Sequence, residues 1–398
     1  VRTDSQFPDK AIAGCHTALL VMAEVREELI RRGRDASHLP RVSELMDFCA
    51  VGTIADASSL GQSRNNRLIV QRGLRIMNTR PRPCWNALRR LVGKSGDWVS
   101  ADIAFQVATR INARGRLTDA MLGVEFLCAT DEEEAFRLVE ELDQSNRERR
   151  AIEKGLTVAA TTLAQKAVGA GRSGLCLWLG EGAHSGVHGI TASRMVEKFG
   201  RPTICLSPMH GQPTVATGSI RTTSSFNVLD ALDSIRSSRS DLLISAGGHS
   251  GAGGLKVLRS NIDALAEAWD RCVASHYGDV VPGPILLVDG ELDAPSLEHV
   301  RELSGLEPFG RGFEPAVFWA AWHVNQVRVI GDGSHLKLIL TAKGRSTDGV
   351  WFNAIEPGGN PPVCAGQSAR LAFSLDKNVY RGISRLQLVI RGIDAAED

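Results

Sequence analysis

No stretch of this 398-residue chain approaches the ~18 consecutive apolar residues of a membrane span, so no membrane partner is expected. The opening "VRTDSQFPDK" is polar, without the basic-then-apolar order of a secretory leader. The eight cysteines (Cys15, Cys49, Cys84, Cys128, Cys176, Cys205, Cys272, Cys364) contain no C-x-x-C pair. That argues against a zinc ribbon or a disulfide framework and for reduced thiols in a cytoplasmic protein. An excess of one charge is missing too: 46 Lys and Arg against 45 Asp and Glu leave +1, so only a local patch can hold a polyanion. Internal repeats and low-complexity tracts are absent. What is left is an ordinary globular composition, 43% hydrophobic and 23% charged, long enough for two or three domains.

Apolar residues at Leu19, Val21, Met22, Val25, Leu29 and Ile30, closed by Gly33, predict a packed helix. "LMDFCAVGTIAD" reads as apolar structure, like the end of a buried strand, stopping at Asp56, and "NNRLIVQRGLRIMN" as a short amphipathic helix. Thr130 and Glu133 have capping-box spacing ahead of a long helix whose middle, Asp143 to Arg150, is polar on every side. Such a helix suits a solvent-bridging connector. Beyond Gly171, "LCLWL", "ITASRMVEKFG", "PTICLS", "FNVLDALDSIRSS" and "DLLISAGGH" alternate strand and helix, which predicts a small α/β domain. After "VVPGP", short runs from "NQVRVIG" to "RLQLVIRG" separated by turn residues predict a small all-β barrel or sandwich.

Several stretches carry possible chemistry, each with a plainer reading beside it. In "VGTIADASSL", Asp56 by itself reads as the cap of the next helix or turn. "AGGHSGAGGL" lets backbone approach a ligand at Gly247 and Gly248 beside His249, or is a flexible turn. In "GSIRTTSSF", Ser219 and Arg221 are two apart, so a strand points both to one face, suited to a phosphate or to solvent. "RINARGRL" gathers Arg110, Arg114 and Arg116 around Asn112, as a phosphate clamp or a basic surface turn. "HSGVHGITASR" holds His184 and His188, but no carboxylate or cysteine nearby completes a metal site.

The order of these blocks, from "GTIAD", "NNR", "RINARGRL" and "LDQSNRERRAIE" through "HSGVHGITASRMVEKFGRPTICLS", "GSIRTTSSF" and "AGGHSGAGGL" to "EPFGRGFEPAVF" and "YRGISRLQLVIRGI", resembles the RecJ family of single-stranded-DNA-specific exonucleases in the DHH phosphoesterase superfamily. The resemblance runs from about Phe7 to nearly the C-terminus. It implies an α/β chain: the C-terminal part of a DHH phosphoesterase domain (1–129), a connector helix (130–170), a small α/β DHH-associated domain (171–280) and an OB-type domain (281–398). It implies that Asp56 is an acidic ligand of a centre holding Mn²⁺ or Mg²⁺. Arg116, Ser219, Arg221, Gly247, Gly248 and His249 would form a DNA-phosphate surface across an interdomain cleft, and Asn112 and His184 match family positions of less defined role. Arg114 and His188 depart from the family, which prefers a small and an apolar residue there, as do Ala57, Ser58 and Ser59 in place of an apolar pair and a proline.

The implied activity is metal-dependent 5′-to-3′ hydrolysis of single-stranded DNA in repair and recombination, with a helicase or single-strand-binding protein as possible partner. The upstream aspartates and the Asp-His-His of the superfamily are not in this sequence, and one carboxylate cannot hold two divalent cations. With Val1 in place of Met, the expectation is a fragment or one half of a split enzyme with an incomplete metal site. The alternative is a strand-binding or accessory subunit that does not cleave. A third reading, a phosphodiesterase of small nucleotides, is disfavoured because such substrates need no OB-type groove.

Overall fold

The computed structural model describes residues 6–278, 280–281, 283–355, 359–380 and 382–394; Val1, Pro282 and Arg381 in the stretches quoted above lie outside them. Helices α1 (Gly14–Arg31), α2 (Met46–Ala55), α3 (Arg64–Thr79), α4 (Pro83–Val92), α5 (Ser100–Asp102), α6 (Ala108–Leu117), α7 (Met121–Cys128) and α8 (Glu132–Gly169) precede an α/β region. That region runs β1 (Leu175–Trp178), α9 (His188–Phe199), β2 (Thr203–Met209), β3 (Gln212–Arg221), α10 (Val228–Ser238), β4 (Leu243–His249), β5 (Ala252–Leu258) and α11 (Ile262–Tyr277). Then come β6 (Gly290–Glu291), α12 (Leu297–Ser304), β7 (Phe318–Ile330), β8 (His335–Ala342), β9 (Arg345–Trp351), β10 (Ser368–Tyr380) and β11 (Ile383–Asp394). The chain divides into two compact units, one of Val1–Trp85, Lys94–Ala108 and Leu286–Asp398, the other of Asn86–Gly93 and Thr109–Ile285.

In the first unit, α2 is a helix where the sequence suggested a strand. Asp47, Cys49, Ala50, Val51 and Thr53 are all buried, so the helix is covered on more than one face and the polar positions that mark a helical period are missing. Asp47 is fully buried and held by Arg82 Nε at 2.7 Å and Trp85 Nε1 at 2.8 Å, with the Arg82 guanidinium 4.5 Å from the centre of the Phe48 ring. The expected packed face of α1 is only partly covered: Leu19 is buried and Leu29 and Ile30 are half-buried, but Val21, Met22 and Val25 are exposed.

Strands β7, β8, β9, β11 and β10 close into a barrel, β10 pairing back onto β7 and β9 running parallel to β11, which is the OB arrangement. Alternation along β8 buries Leu336, Leu338 and Leu340, and Trp322 meets Phe373 edge-on at 5.8 Å in the barrel interior. The segment leading into β7 fastens the loop after α2. Leu60 N–H donates to the Arg311 carbonyl at 2.8 Å, Arg67 donates to the carbonyls of Leu306 and Pro308, and a Cβ on Gly61 would lie 1.9 Å from the Gly312 oxygen.

In the second unit, the sheet order is β1-β2-β3-β5-β4, parallel only between β1 and β2. One face packs Ile204, Leu206, Ile220 and Val257 against α10 and α11. The other packs Cys205, Leu175 and Leu177 against α8 and α9. Helix α8 is capped by Asp131, which accepts from Glu133 and Glu134 N–H, one residue later than the Thr130 capping box expected. Its polar middle is not a solvated bridge either. Asp143, Ser145, Asn146 and Arg149 are buried: Asp143 accepts from Arg110 (2.9 Å) and Arg147, and Arg149 donates to Asn146 (3.0 Å) and Glu153 (2.7 Å).

Candidate nucleic-acid interface

The register of the second unit's sheet lays out the candidate residues. Ser219 pairs with Gly254, which pairs with Gly247; Arg221 pairs with Ala252, which pairs with His249. Residues directly opposite in an antiparallel pair share a face, as do residues two apart on one strand. Ser219, Arg221, Gly247 and His249 therefore belong to one face, the face that also carries Cys205, partner of Ser219 on β2. At β2 that face is covered by α8 and α9. At β4 it opens: Gly247 and His249 are exposed, and nothing stands within 4 Å of where a Gly247 Cβ would be. The glycine-rich stretch is thus mostly strand and not only turn. Gly248, at φ +155°, belongs to the opposite parity, and a Cβ there would meet the Ala252 oxygen at 2.2 Å, so only glycine closes this hairpin.

Arg221 reaches from β3 to the start of α9. A Cβ on Gly189 would sit 2.6 Å from Arg221 Nη2, so the guanidinium rests on the bare backbone of the first helical turn. That turn has no side-chain cap and no acidic residue, and Arg221 has no carboxylate partner among the described residues, donating only to its neighbour's carbonyl at Ile220. Burial and the nearby Arg116 guanidinium pull the Arg221 pKa below its usual value, yet an arginine stays cationic. Two guanidinium groups close together without an anion among the described residues form an electrostatically expensive arrangement that a phosphate relieves.

Arg116 comes from α6, a helix where the sequence reading offered a surface turn. It donates to the Gly186 carbonyl at 3.2 Å, and a Cβ on Gly186 would lie 2.1 Å from the Arg116 oxygen, so the end of α6 is clamped to the loop before α9. Asn112 is exposed one turn earlier on the same face of α6. Arg110 is committed to Asp143 and Arg114 lies 3.9 Å from Glu141, so neither is free for a phosphate in the way Arg116 is. His184 Nδ1 accepts from Gly186 N–H at 3.1 Å, which leaves the ring's other nitrogen to carry the proton.

His188, 1% exposed, is held neutral: burial and the neighbouring His184 push its pKa down to about 4. Its Nε2 has no hydrogen-bond partner among the described residues. The sign of the resulting pH dependence is fixed. The unfolded chain takes up this proton near pH 6.5 and the folded one only near 4, so stability present above 6.5 is lost as pH falls towards 4, by up to about 3 kcal/mol. Urea titrations of His188→Gln at pH 7 and pH 4.5 are expected to show a flatter decline than the parent; parallel declines contradict the assignment.

Two contributors escaped the sequence reading. Lys256 pairs with Thr217 and lies two residues from Gly254, which puts it on the open face with Ser219; among the described residues it has no ion pair. Alternation through "GGLKVL" carried that information once β5 was paired with β3. Arg149 on α8 is 8% exposed with Nε unpartnered, and its pKa is lowered by burial and by Arg150 and Arg116 nearby. In the first unit, the barrel offers Arg345 and the exposed Phe352 on or beside β9, charged and aromatic groups of the kind single strands bind, while Lys337 on β8 is paired with Asp348 at 3.6 Å.

Asp56, also in the first unit, closes α2 instead of starting a helix; Ser63 caps α3. Its carboxylate is exposed and, among the described residues, accepts only from the Ser58 hydroxyl at 2.9 Å, followed by Ala57 at φ +51°. A carboxylate at a helix C-terminus is disfavoured by about 0.3–1 kcal/mol unless a cation offsets it. That suits one metal ligand, but no group of three or more His, Cys, Asp or Glu able to hold a metal occurs among the described residues. Asp47, the other acidic residue of α2, is spent on Arg82 and Trp85. These residues alone do not make a divalent centre.

A family model described as RecJ OB domain matches residues 288–392, and one described as DHHA1 domain matches residues 171–275. The single-stranded-DNA-specific exonuclease RecJ of Dickeya dadantii (strain 3937) is 32% identical over 405 residues, covering 98% of this chain and 68% of that protein. The chain belongs to the RecJ family. The RecJ of Escherichia coli (strain K12) is 31% identical over 406 residues with the same coverage. A crystal structure of RecJ in complex with Mg²⁺ from Thermus thermophilus matches with a TM-score of 0.76 at 26% identity, over 100% of this chain and 57% of that one. A second from the same organism, with Mn²⁺, gives 0.71 at 28% identity, over 90% of this chain and 51% of that one. The chain thus spans 68% of these two curated RecJ proteins and little more than half of the Thermus chains. Its α/β architecture, with a DHHA1 domain followed by an OB barrel, is the RecJ one. No helix among the described residues is long and apolar enough to cross a membrane.

Proposed function

We propose that this RecJ-family chain is the strand-holding part of a metal-dependent 5′-to-3′ single-stranded-DNA exonuclease. The observation that carries the reading is Arg221, without an anionic partner, seated on Gly189 at the uncapped start of α9 with Arg116 beside it. In this role Arg116 and Arg221 grip the oxygens of one backbone phosphate, and Ser219 adds a hydroxyl. Lys256 and the glycine-lined opening at Gly247 and Gly254 give the next stretch of backbone a path, with His249 at its edge and Asn112 and His184 at the Arg116 end. The OB barrel also holds single strand, by charge and stacking.

Binding by these residues fixes the register of the diester and removes its orientational freedom, the share of catalysis that positioning supplies. Asp56 contributes one carboxylate towards a Mn²⁺ or Mg²⁺ centre, the ions in the two Thermus structures, and no hydrolytic step is assigned to the residues present. The setting we propose is DNA repair and recombination in the cytoplasm, with a helicase or single-strand-binding protein as candidate partner, testable by co-purification from cells treated with a DNA-damaging agent. The lone carboxylate equally favours a second reading, an accessory subunit that binds without cleaving.

The test is direct. Incubated with Mn²⁺ and a 5′-phosphorylated single strand, this chain is expected to bind and to release no nucleotides above background. Robust release abolished in Asp56→Ala overturns the incomplete site; release restored only by adding the upstream DHH segment supports the enzyme reading over the accessory one.

A further inference from the structure

Outside the phosphate site, α1 and α2 bring two thiols together. Cys15 lies flat on α2: a Cβ on Gly52 would be 2.6 Å from its Sγ and 3.0 Å from its Cβ. Its Sγ is 3.4 Å from the Cys49 carbonyl, 3.9 Å from Thr53 Oγ1 and 3.9 Å from Cys49 Sγ. Cys15 is half-buried, whereas Cys49 is 4% exposed. Cys15 is thus the more exposed residue of the pair and Cys49 the buried one, the layout of an attacking and a resolving cysteine.

We propose that Cys15 and Cys49 form a reversible disulfide when the protein meets a hydroperoxide, a covalent modification that ties α1 to the helix ending at Asp56. The sulfurs must approach from 3.9 Å to about 2.05 Å, a movement within reach of side-chain rotation because the two already touch. The Cys15 thiolate attacks one peroxide oxygen, the O–O bond breaks and hydroxide leaves, giving a sulfenic acid at Cys15. Cys49 Sγ then attacks Cys15 Sγ, the S–S bond forms, the S–O bond breaks, and the hydroxyl leaves as water with the Cys49 proton. The peroxide accepts the two electrons that the thiols lose.

The environment favours the first step. The Cys49 thiol donates to Cys15 and lowers its pKa to about 7, against burial and the Asp56 charge, which raise it; the same bond raises that of Cys49. The Thr53 hydroxyl, 3.9 Å from Cys15 Sγ, donates its hydrogen to the Cys49 carbonyl at 2.7 Å. Elsewhere burial dominates: Cys84 and Cys176 are each pushed up to about 12, Cys205 beside Cys176 and Cys272 are raised too, and Cys128 and Cys364 are exposed.

The experiment uses the full chain carrying Cys128→Ser and Cys364→Ser, which removes intermolecular cross-links. Hydrogen peroxide followed by alkylation and peptide mapping is expected to give one linked peptide pair joining Cys15 to Cys49, a loss of two hydrogens in the intact mass, and full reversal by dithiothreitol. Adding Cys49→Ala is expected to abolish the link and leave a dimedone-reactive sulfenic acid at Cys15. If that variant does not fold, the peptide map of the parent decides alone. Cys15 carried to sulfinic acid with Cys49 still alkylatable, or both thiols untouched, overturns the proposal.

Discussion

Arg221→Ala lowers the affinity of this chain for single-stranded DNA by roughly 10- to 100-fold near 0.1 M salt, the loss of a charge-assisted phosphate contact worth about 1.5–3 kcal/mol. The slope of log K against log salt becomes shallower by about one counterion, since one phosphate is no longer neutralised. In the free protein the same change costs little stability, because burial and Arg116 disfavour the Arg221 charge and no ion pair is lost. A residue whose removal weakens binding while leaving the fold intact separates a ligand site from a structural one. Arg221→Lys keeps the charge but loses the planar fork and falls in between. Anisotropy titrations of a labelled oligonucleotide at several salt concentrations, with thermal melts of the same samples, check all three statements; a large stability loss in Arg221→Ala contradicts them.

Asp47→Ala has the largest expected effect on the fold. The carboxylate is fully buried and answers both the Arg82 guanidinium and the Trp85 indole, so its removal takes a charge-assisted hydrogen bond from each, while Arg82 keeps the Glu44 carbonyl. Breaking one side of such a pair costs about 3 kcal/mol or more, which for a unit of this size lowers the melting midpoint by roughly 6–12 °C. Asp47→Asn keeps one acceptor for Trp85 and is expected to lose less. Calorimetry of the two variants decides; a melting curve unchanged in Asp47→Ala removes the network from the account of how α2 is held.

How much of this was legible beforehand differs by element. Strands β1, β2 and β4 and helices α9 and α10 were readable because short apolar runs alternate with helical stretches between turn residues. Helix α2 was not, because burial of Asp47, Cys49, Ala50, Val51 and Thr53 hides the period that would distinguish it from a strand. The polar middle of α8 misled for the opposite reason: Asp143 and Arg149 are buried in mutual hydrogen bonds, which composition cannot tell from solvation. Ser219 and Arg221 sharing a face followed from strand spacing, but Arg221 resting on Gly189 depends on how α9 crosses the sheet, which no local pattern records. Asp56 gained its proposed role from block order alone, and its place at a helix C-terminus supplies a physical reason for a cation there.

The claim at the centre of the account is that Arg116 and Arg221 hold one phosphate jointly. A double-mutant cycle of Arg116→Ala and Arg221→Ala, read as single-stranded-DNA affinity at fixed salt, tests it most directly. Joint action gives each single variant a large loss and the double variant less than the sum, with a coupling of at least about 0.5 kcal/mol. Losses that add to within about 0.3 kcal/mol, or a single variant that binds like the parent, contradict it.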